Sequence, residues 1–210
     1  MEYFELIEKR YSVRRFLDQD VPDSDLAKMI KAAGIAPSGK NYQNWHFVVI
    51  KNKEIINKMG DTIIDRIEGV SNRLPEDKAQ NFRKFSKFAT FFTGAPVLVA
   101  VYAGEYIPEG YVELVESKDD QVNIERLTDA NPGIQGIGGA IEQMILAAFD
   151  LGYGACWMTS PNNSALELEK LIDFKKDKFK LVALVPIGKP DGERRSPAKM
   201  DLSDIMTLIK

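Results

Sequence analysis

The 210-residue chain contains one cysteine, Cys156, and one histidine, His46. A lone thiol excludes an internal disulfide and a thiolate metal cluster, and it suits a reducing cytoplasmic setting. A lone imidazole excludes a multi-histidine metal centre, so no metal is expected. A large excess of either charge is lacking as well: 28 Lys+Arg stand against 31 Asp+Glu, a net charge of -3. No bulk field therefore favours nucleic acid or an acidic membrane surface. Long apolar runs are missing. The longest, APVLVAVYA at 95–103, is far too short to span a bilayer. The opening MEYFELIEKRYS is charged and amphipathic and lacks the apolar core of a signal peptide. Phosphate-binding glycine loops are absent too. There is no GxxxxGK[ST], and GIQGIGGA has the wrong glycine spacing and lies in a helical pattern. Ser38 is not in a GxSxG elbow, and His46 falls on an expected strand, so a catalytic triad is unsupported.

What remains is an ordinary globular composition, 44% hydrophobic and 28% charged. The length suits one domain over residues 1–210. Strands are expected at 45–51, 96–102, 154–159 and 180–187, from β-branched and aromatic runs. Helices are expected at 3–9, from Pro22 onward, at 54–69, 76–91, 134–151, 164–172 with Ser164 as cap, and 201–209. Residues 105–131 read as a long polar connection, an insertion or lid with some helix. Strands separated by helices give a mixed α/β or α+β sandwich.

Two features point to chemistry. Arg10, Ser12 and Arg14 cluster in RYSVRRF on a mildly acidic chain. A small anionic ligand fits that better than a polyanion, since guanidinium groups pair bidentately with phosphate oxygens. The helix at 134–151 has one apolar stripe, while Gly136, Gly139, Ala140 and Ala147 line a neighbouring face. Interior glycines cost about 1 kcal/mol each against alanine, so several suggest a close backbone, inside one core or across a subunit interface. Cys156 between Ala155 and Trp157 reads as a small buried hydrophobe.

Taken in order, RYSVRRF, APSGKNYQNWHFVVI, AIEQMILAAFDLGYGACWM and ALVPIGKP resemble the nitroreductase family of FMN-dependent NAD(P)H oxidoreductases. The resemblance implies an α+β sandwich with a mostly antiparallel central sheet flanked by helices. It also implies a homodimer with FMN at the interface. In similar proteins the first motif holds the FMN phosphate and ribityl chain; here that is Arg10, Ser12 and Arg14. The next loop contacts the flavin from the other subunit; here Pro37, Ser38, Gly39, Asn41 and Gln43. The segment after the central helix lines the flavin ring; here Ala155, Cys156, Trp157 and Met158. A C-terminal arginine closes on the phosphate, Arg195 or its neighbour Arg194. The implied activity is ping-pong hydride transfer through flavin N5, from NADH or NADPH to nitroaromatics, quinones or related small electron acceptors. The flavin carries the redox chemistry, so no catalytic side chain is singled out. Alternatives on the same fold are an enone or semialdehyde reductase, a dehalogenase, or a flavin-binding dimer without turnover. The chain departs from the family pattern at Asn44, where many relatives have proline, at Gly39, where serine is commoner, and at Gln143, where asparagine is common. The first two alter the mouth of the site.

Overall fold

A computed structural model describes residues 2–192 and 196–210. Strands β1 (Trp45–Ile50), β2 (Val97–Gly104), β3 (Gly154–Ala155) and β4 (Phe179–Gly188) form one sheet in the order β1-β2-β4-β3, antiparallel throughout. The helices are α1 (Tyr3–Lys9), α2 (Asp23–Gly34), α3 (Lys53–Ser71), α4 (Glu76–Thr90), α5 (Tyr111–Ser117), α6 (Gln121–Asp129), α7 (Pro132–Asp150), α8 (Ala165–Ile172) and α9 (Leu202–Ile205).

The apolar run of β2 explains the layering. Side chains alternate across a strand, so a strand that is apolar at every position needs cover on both faces. Val97, Val99, Val101 and Ala103 pack with Met29 and Ala33 of α2 and with Ile137, Ile141, Met144 and Ala148 of α7. Leu98, Ala100 and Tyr102 pack on the other face with Ile56, Met59 and Ile63 of α3 and Leu168 of α8. The result is a helix–sheet–helix sandwich of the α+β class. Among the described residues, no helix is long and apolar enough to cross a membrane.

Some expectations are corrected. The strand expected at 154–159 pairs for only two residues, Gly154–Ala155. The chain then turns Trp157 outward, and only Met158 rejoins the sheet, through a bridge to Leu184. The helix expected at 201–209 shrinks to Leu202–Ile205. Leu202, Ile205, Leu208 and Ile209 are all exposed, so no packing supports a longer helix, and short isolated helices are marginal. Ser164 stands at the cap position of α8, but its hydroxyl donates to Asn163 Oδ1 instead of accepting from the first turn. The connection at 105–131 contains α5 and α6, which pack on each other and bury no residue.

Candidate functional site

The RYSVRRF segment is held beside β3. Ser12 bridges Ala155 in parallel, and the Val13 amide donates to the Ala155 carbonyl at 3.0 Å. Further on, Phe16 bridges Pro190. Val13 is buried against Gly154, where any Cβ would lie 2.3 Å from Val13 Cγ2. That contact requires glycine and presses the segment onto the sheet edge. In an extended chain, residues two apart point to the same side. The R-x-S-x-R spacing therefore suits a shared surface. Arg10, Ser12 and Arg14 indeed line one cleft of about 220 Å³, together with Tyr11, Ser196, Pro197 and Lys199. Arg194 and Arg195 lie outside the described residues.

The two arginines differ electrostatically. Arg10 Nε pairs with Glu142 Oε1 of α7 at 3.2 Å. Arg14 donates only a long hydrogen bond, 3.4 Å, to the Ser12 carbonyl, and its guanidinium carbon lies 6.0 Å from the Phe91 ring centroid. Among the described residues it has no carboxylate partner. Arg15 points elsewhere and pairs with Asp191 at 2.5 Å, as a surface residue does. Burial pushes the Cys156 thiol above its ordinary pKa, against the opposing pull of the Arg14 charge, a Ser12 hydrogen bond and the Arg10 charge. Cys156 thus lies beneath the cleft as a protonated thiol, not as a nucleophile.

The loop at 37–43 is fixed differently. Ser38 Oγ accepts from the Gln43 amide at 3.0 Å, and Gln43 Nε2 donates to Asn41 Oδ1 at 3.0 Å. Lys40, Asn41 and Gln43 all have positive φ, at 51°, 56° and 50°. Non-glycine residues seldom adopt that region, and asparagine tolerates it best. The loop leans on α7 at Gly136, where a Cβ would lie 3.5 Å from the Pro37 carbonyl oxygen and 3.6 Å from Ser38 Cα. This is the close backbone that the glycine-bearing face implied, supplied by the chain itself. Among the described residues, Gly139 has nothing within 4 Å of its Cβ position.

The structure thus gathers Arg10, Ser12, Arg14 and Cys156 at one place, and Pro37, Ser38, Gly39, Asn41 and Gln43 at another along α7. Of the segment after α7, Ala155, Cys156 and Met158 are buried, and only Trp157 is exposed, its ring 3.1 Å from the Cβ position of Gly138. Sequence reasoning missed Glu142, although the one charged residue of the largely apolar AIEQMILAAF was a usable signal. It also missed Tyr106, which packs against Gly39 and Gly133 and had no signal of its own.

The site is thus an arginine-lined cleft beside the central helix of an antiparallel α+β sandwich, a setting suited to a phosphate group. Residues 7–189 match the family model described as the Nitroreductase family, and the chain belongs to that family of flavoenzymes. A curated relative, iodotyrosine deiodinase 1 of Rattus norvegicus, is 31% identical over 213 residues, covering 99% of this chain and 70% of its own length. The structure of a BluB-like flavoprotein from Clostridium difficile 630 is 44% identical, covers 100% of both chains and superposes with a TM-score of 0.94. A nitroreductase with bound FMN from Desulfitobacterium hafniense DCB-2 shares the fold at 22% identity and a TM-score of 0.73, covering 99% of this chain and 97% of its own.

Proposed function

We propose that this chain is a single-domain, homodimeric FMN enzyme of the cytoplasm that uses NADH or NADPH to reduce small electrophiles such as nitroaromatics and quinones. One observation carries the reading. The Arg10–Ser12–Arg14 cleft presents a guanidinium with no carboxylate partner among the described residues, which suits a phosphate. Bound FMN supplies two-electron transfer between nicotinamide and acceptor. The chain's own residues bind and orient. Arg10 and Arg14 hold the phosphate, Ser12 supplies a hydroxyl beside it, and Glu142 fixes the direction of Arg10. The loop at 37–43, through Ser38, Asn41 and Gln43, contacts the flavin of the partner's site. Trp157, the exposed member of its segment, lines the ring. The protonated Cys156 takes no part as a nucleophile.

A second reading is reductive dehalogenation of a halogenated phenol. The deiodinase relative, matched over 99% of this chain, favours it. Anaerobic stopped-flow mixing with NADH and NADPH in turn tests the core of the proposal. Flavin absorbance bleaches and recovers on adding an acceptor. A nitroaromatic, a quinone and a halophenol then separate the two readings. A flavin that no nicotinamide bleaches refutes the first.

A further inference from the structure

The two departures at the mouth of the site, Gly39 and Asn44, meet one element. A Cβ on Gly39 would lie 2.2 Å from the Tyr106 hydroxyl oxygen and 3.1 Å from its Cζ. Gly39 has no positive φ, so its lack of a side chain answers to space alone. Asn44, 5% exposed, donates from Nδ2 to the Gly104 carbonyl at 3.1 Å, and the Gly104 amide donates back to the Asn44 carbonyl at 2.7 Å. Gly133, at the start of α7, completes the notch: its Cβ would lie 2.6 Å from Tyr106 Cβ and 3.1 Å from Asn44 Nδ2. The Tyr106 ring also meets Tyr42 edge-to-face, with centroids 5.7 Å apart. Two ion pairs hold the same stretch, Lys40 with Glu109, and Lys178 with Glu105 at 2.6 Å. Beyond it, α5 and α6 bury no residue of their own, so what seats them lies at these contacts.

We propose that Tyr106 is the positioning residue that seats the 105–131 segment on the 39–43 loop, and that it thereby selects among electron acceptors. Gly39, Gly133 and Asn44 form its socket. Tyr106, Tyr42 and Ile107 line a cleft of about 230 Å³ beside that loop. Moving Tyr106 changes the width of this cleft. It also shifts a loop whose three left-handed residues leave little room for adjustment. The acceptor-selecting part rests on the reading above, in which the loop contacts flavin; the seating does not.

A double-substitution cycle tests this with Gly39→Ala, Tyr106→Phe and their combination. Removing the hydroxyl deletes the 2.2 Å clash and leaves the 3.1 Å contact, so each change alters the effect of the other. In flavin-free protein, trypsin reads the seating at Lys118 and Arg126, which lie in the exposed segment. Gly39→Ala speeds cleavage there about tenfold, while Tyr106→Phe alone and the double variant stay within about threefold of wild type, the scale of overpacking and its relief. In holoenzyme the KM of a quinone follows the same order, and in Tyr106→Ala, whose side chain lies outside the flavin-contacting loop, that KM rises while the rate of flavin bleaching by nicotinamide moves by less than about twofold, a split that general destabilisation does not produce. Should Gly39→Ala fold poorly, Tyr106→Ala empties the notch from the other side. It speeds cleavage, and adding Gly39→Ala to it changes nothing further. A Gly39→Ala protein indistinguishable from wild type, or a double variant as impaired as Gly39→Ala, overturns the seating. Rescue in proteolysis with an unmoved acceptor KM overturns acceptor selection. A wild type that binds no FMN refutes the proposed function, while the trypsin cycle still decides the role of Tyr106.

Discussion

Replacing Arg14 by alanine tests the phosphate reading with the fewest side effects. Among the described residues Arg14 has no carboxylate partner, and its one hydrogen bond there, to the Ser12 carbonyl, is 3.4 Å long. Its removal therefore strands no buried anion. A charge-assisted hydrogen bond contributes about 1.5–3 kcal/mol, which at 1.4 kcal/mol per decade predicts FMN binding weaker by about 10- to 140-fold. Solvent exposure of the side chain places the result toward the lower end. Arg10→Ala is a different experiment. It leaves the half-exposed Glu142 carboxylate unpaired beside an incoming phosphate, and the two like charges repel, so its loss exceeds that of Arg14→Ala. The assay is flavin fluorescence quenching with FMN and with riboflavin, which lacks the phosphate. Arg14→Ala and wild type bind riboflavin equally, while FMN distinguishes them. Equal FMN affinities refute the assignment. An equal loss for riboflavin refutes it as well, because Arg14 would then act through the fold, for instance through its contact with Phe91.

Co-expressing Arg14→Ala with Asn41→Ala, each defective alone and still dimeric, rebuilds one intact site per mixed dimer if the site is shared; random pairing restores about a quarter of all sites. No recovery from well-formed mixed dimers abandons the placement of the 37–43 loop. Cys156→Ala keeps its flavin and most of its turnover, and iodoacetamide at neutral pH labels the wild-type thiol only on unfolding, because burial holds it protonated; complete loss of activity with FMN bound contradicts this. His46 is held below its ordinary pKa of 6.5 by burial and then by the Lys176 charge. The unfolded chain thus binds the extra proton first, so stability is full above pH 6.5 and falls as the pH drops through 6.5 toward the folded value. Urea unfolding at pH 7.5 and 5.5 reads the loss, and His46→Gln shrinks it; an unchanged difference in the variant refutes the attribution.

The sandwich was legible because β2 is apolar along its length and α2, α3 and α7 carry apolar stripes at helical spacing. Val97 and Leu98 go to opposite clusters, as alternation requires. The cleft was legible in part, since the spacing of Arg10, Ser12 and Arg14 matches an extended segment. Its depth was not. The resemblance sets Cys156 and Met158 along the flavin ring; both are buried, Cys156 as its apolar neighbours predict, because the chain leaves the sheet after Ala155 and returns at Met158. Local patterns carry no information about such a departure at a sheet edge. The tail failed for the opposite reason. Its helical period is real, but nothing among the described residues covers Leu208 and Ile209, and periodicity without a partner does not hold a helix. Tyr106 was invisible because its partners, Gly39 and Gly133, are far from it in sequence.

The geometry of α7 bears directly on whether one chain can complete the site. A helix turns about 100° and rises 1.5 Å per residue. The 37–38 backbone meets it at Gly136, Trp157 at Gly138 and Arg10 at Glu142. From Gly136 to Glu142 the rise is about 9 Å and the rotation about 240°, whereas Gly138 and Glu142 differ by only about 40°. Trp157 and the arginine cleft therefore share one side of the helix, and the 37–43 loop lies on another. The core-facing residues Ile137, Ile141 and Met144 fill the arc that separates them on the inside. On the outside the arc runs past Gly139, which has nothing among the described residues within 4 Å of its Cβ position. A ligand that spanned cleft and loop of the same chain would have to wrap that outer arc. In the proposed homodimer, a second copy packed against Gly139 across a two-fold axis would bring its own loop toward this chain's Trp157 and Arg14, and each helix would then serve two sites. The bare glycine on the outer arc is what such an approach needs, which is why the mixed-dimer experiment, and not the loss of function in either single variant, decides how the site is built.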